Sequence, residues 1–134
     1  MDQRTILCAG AVLGGLAVIL GAFGAHGLKD AIPQWVADPA EQAKRLDAWE
    51  VAVRYQMYHA LALLVIGIVA QRQTSNGLLW SAGLFVFGVL IFSGFLYGYA
   101  LSGVKILGAI VPLGGTAMII GWIVFAISAW RLRN

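Results

Sequence analysis

The chain reads as all-α: a polytopic integral membrane protein, a four-helix bundle whose second helix extends out of the bilayer. Three observations predict this class. Four apolar stretches, approximately 6–26, 51–71, 78–100 and 106–130, fill most of the 134 residues. Each has about 20 residues or more, which at about 1.5 Å of helical rise per residue matches a hydrocarbon core of about 30 Å. Hydrophobic residues make up 60% of the chain and charged ones 11%, too few polar side chains to cover a soluble domain of this size. Finally, three of the four stretches have almost none of the polar face that a water-exposed helix needs.

Charge and cysteine content narrow the class further. The net charge of +3 comes from nine scattered basic residues. No run of them forms a nucleic-acid patch, and their positions beside apolar stretches suit membrane flanks. Cys8 stands alone, which excludes an internal disulfide and a cysteine metal site. Leu7 precedes it and the apolar run follows it, an order unlike a lipoprotein cleavage site. A cleavable leader has some support in Arg4, the apolar run from Ile6 to Phe23, and the small residues Gly24-Ala25. The spacing of glycines inside that run favours a retained, packed helix. No polar linker divides the chain, so residues 1–134 form one domain.

Segment one carries Gly10 and Gly14 as a small-xxx-small pair, continued by Ala17, Gly21 and Ala25 on a nearby face. Lipid gives helices little reason to bury apolar surface against one another, so close backbone approach over small residues supplies the contact. The expected packing positions are Gly10, Gly14, Gly21, Gly94 and Gly115. A polar loop is expected over 28–50, broken by Pro33 and Pro39. Within it, Asp38-Pro39 with Glu41 has the form of a helix start: a capping Asp, a proline in the first turn and an early acid. Neither Pro nor Gly recurs until Gly67, so one helix is predicted from about Pro39 to about Arg72. Trp35, Trp49, Tyr55 and Tyr58 are placed at the membrane interface.

Ser75-Asn76-Gly77 breaks the chain before segment three, and Ser102-Gly103 turns it into segment four. Pro112, Gly114 and Gly115 predict a kink or loosened turn early in that last segment. Four spans put both termini on one side. Arg4, Arg72, Arg131 and Arg133 flank that side closely, whereas Lys29, Lys44, Arg45 and Lys105 belong to the other. Short basic flanks weigh most, so a multi-pass protein of the cell (inner) membrane with cytoplasmic termini is expected.

Alternating direction also gathers polar residues in one leaflet. His26 closes segment one, Gln56 and His59 open segment two, and Ser93 and Tyr97 close segment three. Gln56 and His59 are three apart and Ser93 and Tyr97 four apart, so each pair shares a helix face. A polar group in hydrocarbon needs a partner; His59 is expected to find one in Gln56, Tyr97 or a carbonyl freed by Pro112. Three readings of this cluster follow: a hydrogen-bond network that locks the helices, a site for a lipid head group or small polar ligand, or a metal or haem site. Two histidines without carboxylate or thiolate support make a weak ligand set, so no metal and no cofactor are expected. No Ser-His-Asp set or paired intramembrane carboxylates occur, and no catalytic residue is assigned.

At these residues the sequence resembles a family. Leu20-Gly21-Ala22-Phe23-Gly24-Ala25-His26 is similar to the motif that closes the first helix in small membrane proteins grouped as domain of unknown function 423, with the eukaryotic transmembrane protein 256 among them. Tyr55-Gln56 with His59-Ala60-Leu61-Ala62 resembles the second-helix pattern. Phe92-Ser93-Gly94 with Leu96-Tyr97, then Pro112 with Gly114-Gly115 and Gly121-Trp122, resemble the third and fourth. Phe95 and Val111 stand where the family often carries Ser and Thr, removing two hydroxyls near the polar cluster. The resemblance implies four spans and a retained first helix, and supplies no activity. The expected function is therefore non-enzymatic: an accessory or scaffold protein in the lipid bilayer, assembling with itself or a membrane partner through glycine-rich faces. The competing expectation is a protein that binds or transports a small ligand or lipid in the polar pocket.

Overall fold

The computed structural model describes residues 1–132. It contains α1 (Gln3–Phe23), a π-helical turn (Gly24–Leu28), α2 (Lys29–Trp35), α3 (Pro39–Arg72), α4 (Asn76–Ser102) and α5 (Lys105–Trp130). Among the described residues there is no strand. Four helices, counting α1 to α2 as one continuous rod, are long and apolar enough to cross a membrane. Arg133, counted above among the basic flanks, lies outside the described residues.

Local chemistry starts and stops these helices. Asp2 Oδ1 accepts the Thr5 amide at 2.7 Å to open α1. Hydrogen bonding from Thr5 holds the Asp2 carboxyl below its ordinary pKa. Asp38 Oδ1 accepts the Ala40 amide, with Pro39 in the first turn, so α3 begins where the sequence placed it. Ser75 caps α4 through the Leu78 amide. At the far end of α4, Gly103 takes φ 72°, a left-handed stop that a side chain would disfavour. The Arg45 guanidinium occupies the space that a Gly103 side chain would fill.

Two expectations about the backbone are corrected. The first helix does not end near His26, nor is 28–50 a loop: the chain stays helical through the π turn and α2, and only residues 36–38 separate α2 from α3. The reason is burial. Leu28 and Ile32, one turn apart, are fully buried with Trp49 and Ala100, which fastens the rod's end over α3 and α4. Trp49 explains the π turn: its indole Nε1 donates to the Leu20 carbonyl at 2.8 Å, and its ring packs where a Gly24 side chain would stand. A side chain inserted into a helical ladder is a recognised cause of such a turn. Trp49 is thus buried inside the bundle, at 4% exposure. α5, for its part, is helical through Pro112 from Lys105 to Trp130.

Packing follows chain order: α1 lies on α3, α3 on α4 and α4 on α5. One apolar core joins all four near the termini, where Ile6, Leu63, Ile66, Leu78 and Phe85 are fully buried and Phe125 and Leu132 pack against them. The Gln3 amide donates to Thr74 Oγ1 at 2.9 Å, tying the N-terminus to the α3–α4 turn. Among the described residues, α1 and α5 share no comparable contact, so the outer flanks of the bundle stay open.

Candidate functional site

Four of the five residues expected in the polar cluster are held inside the bundle. Gln56 and His59 are buried on α3 at 4% and 3% exposure, and Ser93 is buried on α4 at 1%. Tyr97 is half-buried one turn further along α4. His26 is exposed on the π turn, and no hydrogen bond among the described residues joins its side chain to the other four.

The hydrogen bonds fix the chemistry of each group. Gln56 Nε2 donates to the Leu13 carbonyl of α1 at 2.8 Å. That sets the amide's orientation, leaving Oε1 to accept from the Tyr97 hydroxyl at 2.8 Å. One side chain on α3 therefore links α1 to α4. Ser93 Oγ donates to the Ala52 carbonyl at 2.8 Å, a second α4–α3 tie. On α4 and α5, Ser81 Oγ donates to the Gly121 carbonyl at 2.9 Å.

His59 departs from the expected partners. Its Nδ1 donates to the Tyr55 carbonyl at 2.7 Å, and its Nε2 accepts from the Trp122 indole at 3.1 Å. A carbonyl can only accept, so the proton sits on Nδ1, and the bare Nε2 is the acceptor that the indole needs. The ring is neutral in this arrangement, because protonation would set one N–H against another. Phe85 stands edge-on at 5.0 Å and Trp122 edge-on at 6.0 Å between centroids. With both nitrogens engaged and apolar rings around it, His59 offers no lone pair for a metal. Among the described residues, no group of three or more His, Cys, Asp and Glu comes together to hold one. None of the buried side-chain N or O atoms described lacks a partner.

Trp122 is the residue that the expected cluster omitted. The signal was present: an indole N–H inside a span has no water to bond and must find an acceptor on another helix. The glycines divide similarly. Gly10 sits against the Ala60 carbonyl and Leu64, Gly14 against Ala60, and Gly21 against Val53, all on α3. Gly115 makes ordinary contact with Phe92. Gly94 is exposed with nothing within 4 Å of its would-be side chain, so it makes no close approach within the chain. The tight crossing of α4 and α5 uses Gly88 and Gly114 instead.

Four apolar helices tied by saturated polar groups define a small polytopic α-helical membrane protein. The chain belongs to the family described as "Protein of unknown function (DUF423)", which matches residues 20–115. It is similar along its length to UPF0382 membrane proteins. One from Staphylococcus epidermidis is 45% identical over 98% of this chain and 100% of its own length. Another, from Staphylococcus saprophyticus, is 41% identical over 97% of this chain and 100% of its own. YwdK of Bacillus subtilis is 42% identical over 95% of this chain and 97% of its own length. No solved structure matches the chain.

Proposed function

We propose that the protein is a non-enzymatic accessory or scaffold component of the cell membrane, its termini cytoplasmic, assembling with further copies of itself through the outer faces of α1 and α5. The observation that carries this reading is the open packing order. The most apolar part of α1 is only 17% buried within the chain, against 44% for α3. That outer face includes Gly15, exposed with nothing within 4 Å, among exposed Val12, Leu16 and Ile19. Helix association in lipid proceeds through such small-residue faces. The polar cluster supports the same reading from the other direction: its donors and acceptors are spent on backbone carbonyls, on Trp122 and, between Tyr97 and Gln56, on each other, which suits a lock between helices better than a ligand pocket.

The test keeps the label off that face: Cys8, exposed on α1 in line with Gly15, is replaced by Ser, and Gln73, exposed at the α3–α4 turn, by Cys. Protein labelled there with a fluorophore and placed in vesicles at rising protein-to-lipid ratio should show photobleaching in two or more steps. Gly15→Leu should shift the distribution toward single steps while leaving the helical spectrum unchanged. Single steps at every density, for both proteins, would overturn self-assembly.

A further inference from the structure

A second feature lies away from the polar lock. A groove of about 420 Å³ runs along the C-terminal half of α4, walled by α3 on one side and α5 on the other. That volume is within the range of about 300–1,000 Å³ typical of small-ligand sites. Its inner walls are apolar: Val51 from α3, Phe92 and Leu96 from α4, Val111 from α5. Gly108 helps to keep it open, since nothing stands within 4 Å of where its side chain would begin. From Lys44 to Val51 along α3, and from Lys105 to Val111 along α5, the groove reaches about 10 Å down from the helix ends.

Its mouth differs in character. Lys44 and Lys105 stand on opposite rims, both exposed, and neither makes an ion pair with a described residue. Lys44 Nζ lies 6.0 Å over the Tyr99 ring, which holds its charge at the rim. Lys105 is the first residue of α5, whose N-terminus has no side-chain cap, so the helix's positive end faces the same mouth. Asp47 also lies on the rim and leaves the site with one net positive charge.

We propose that this groove binds a monoanionic phospholipid with a hydroxylated head group. The phosphodiester sits between Lys44 and Lys105, and a head-group hydroxyl donates to Asp47. An acyl chain descends between Val51 and Val111 over Phe92. Basic pockets between spanning helices bind anionic lipid head groups by this chemistry. The observation that commits the groove to a lipid is the pairing of charge and depth: cations at the water-facing end, and an apolar channel opening toward the bilayer below them. The site involves neither the polar lock nor the outer faces of α1 and α5, so it stands or falls apart from the self-assembly reading.

The test is native mass spectrometry of the full chain, stripped of lipid in mild detergent and offered phosphatidylglycerol, phosphatidylcholine or inorganic phosphate. The wild-type protein should retain one phosphatidylglycerol per chain, with about a tenfold preference over phosphatidylcholine. The doubly neutralised Lys44→Gln/Lys105→Gln protein should lose the preference, and Gly108→Leu should lose the adduct by filling the channel. Lys29→Gln, on another face, should retain both. Because the two lysines are exposed, their replacement leaves the fold intact, which gel filtration checks directly. Equal retention of both lipids by the wild type would overturn the proposal. So would a preference that survives the double substitution, displacement of the lipid by equimolar inorganic phosphate, or occupation of the groove by a second chain, read as a lipid-free dimer lost on Lys44→Gln/Lys105→Gln.

Discussion

Replacing Gly114 by alanine probes the tightest helix crossing in the molecule. The added Cβ would stand 2.5 Å from the Phe92 amide nitrogen, 2.8 Å from the Gly88 carbonyl oxygen and 3.0 Å from Phe92 Cα. All three are backbone atoms of α4, so no rotamer change relieves the overlap. Restoring ordinary contact near 3.4 Å requires α4 and α5 to separate locally by about 0.9 Å. A gap of that size forfeits about a quarter to a half of each neighbouring contact, in the most extensive interface of the bundle. Overpacking of this kind costs about 1–3 kcal/mol, and the backbone-only clash puts Gly114 at the upper end. Alanine's helix preference returns about 0.5–1 kcal/mol. The net expectation is a loss of about 2 kcal/mol, roughly thirty-fold in the folding constant. Equilibrium unfolding in dodecyl maltoside micelles with rising sodium dodecyl sulfate, followed by tryptophan fluorescence, measures it. Gly94→Ala is the control, because nothing lies within 4 Å there and the change should be neutral or mildly stabilising. If the two variants unfold at the same detergent fraction, the reasoning from close approach is refuted.

Other perturbations separate the remaining ties. His59→Ala removes the acceptor of the Trp122 indole and the ring that packs edge-on against Phe85. It should cost about 2 kcal/mol in the same assay, with no change in any bound mass. A cycle with Trp122→Phe should give a coupling of about 0.6 kcal/mol, the mean for hydrogen bonds between membrane helices; zero coupling would mean that the two groups do not interact in the membrane. The Asp2 carboxyl gains its stabilisation from Thr5 in the ionised state, so its folded-state pKa is depressed. That contribution is present at neutral pH and is lost as pH falls through the depressed value. The Thr5 amide resonance should titrate with a midpoint below that of an unstructured aspartate and stop titrating in Asp2→Ala; a midpoint at or above the ordinary value would contradict the cap.

The sequence was most informative where structure is made locally. The α3 start at Pro39 was legible because Asp38, Pro39 and Glu41 carry the whole signal within four positions. Spans were legible because hydrocarbon thickness imposes a length. The π turn was not, because it depends on Trp49 reaching Leu20, 29 residues away in the chain. Helix beyond His26 could have been read from Leu28 and Ile32, spaced one turn apart, but Pro33 and the charges at Lys29 and Asp30 argue for a loop. Among the site residues, Gln56, His59, Ser93 and Tyr97 could be named, since each must hide a polar group from lipid. Their partners could not, because these depend on how each helix is rotated. The same holds for glycine: Gly83, Gly88 and Gly94 point around α4 in different directions, and only the neighbour's position decides which one is pressed against α5.

The order of packing bears on how the molecule is made. Each strongly packed pair consists of helices that follow one another in the chain. A span emerging into the bilayer therefore finds its docking surface already in place, with no need to wait for the C-terminus. Insertion and assembly can proceed together, one helix at a time. One hydrogen bond runs against this order, from Trp122 back to His59 over α4. It closes only when the last helix arrives, and until then the His59 acceptor waits unpaired in the growing protein. The buried Ser81 hydroxyl on α4 waits in the same way for the Gly121 carbonyl of α5, so a membrane quality-control system that recognises exposed polar groups would find both marks on a chain that lacks α5.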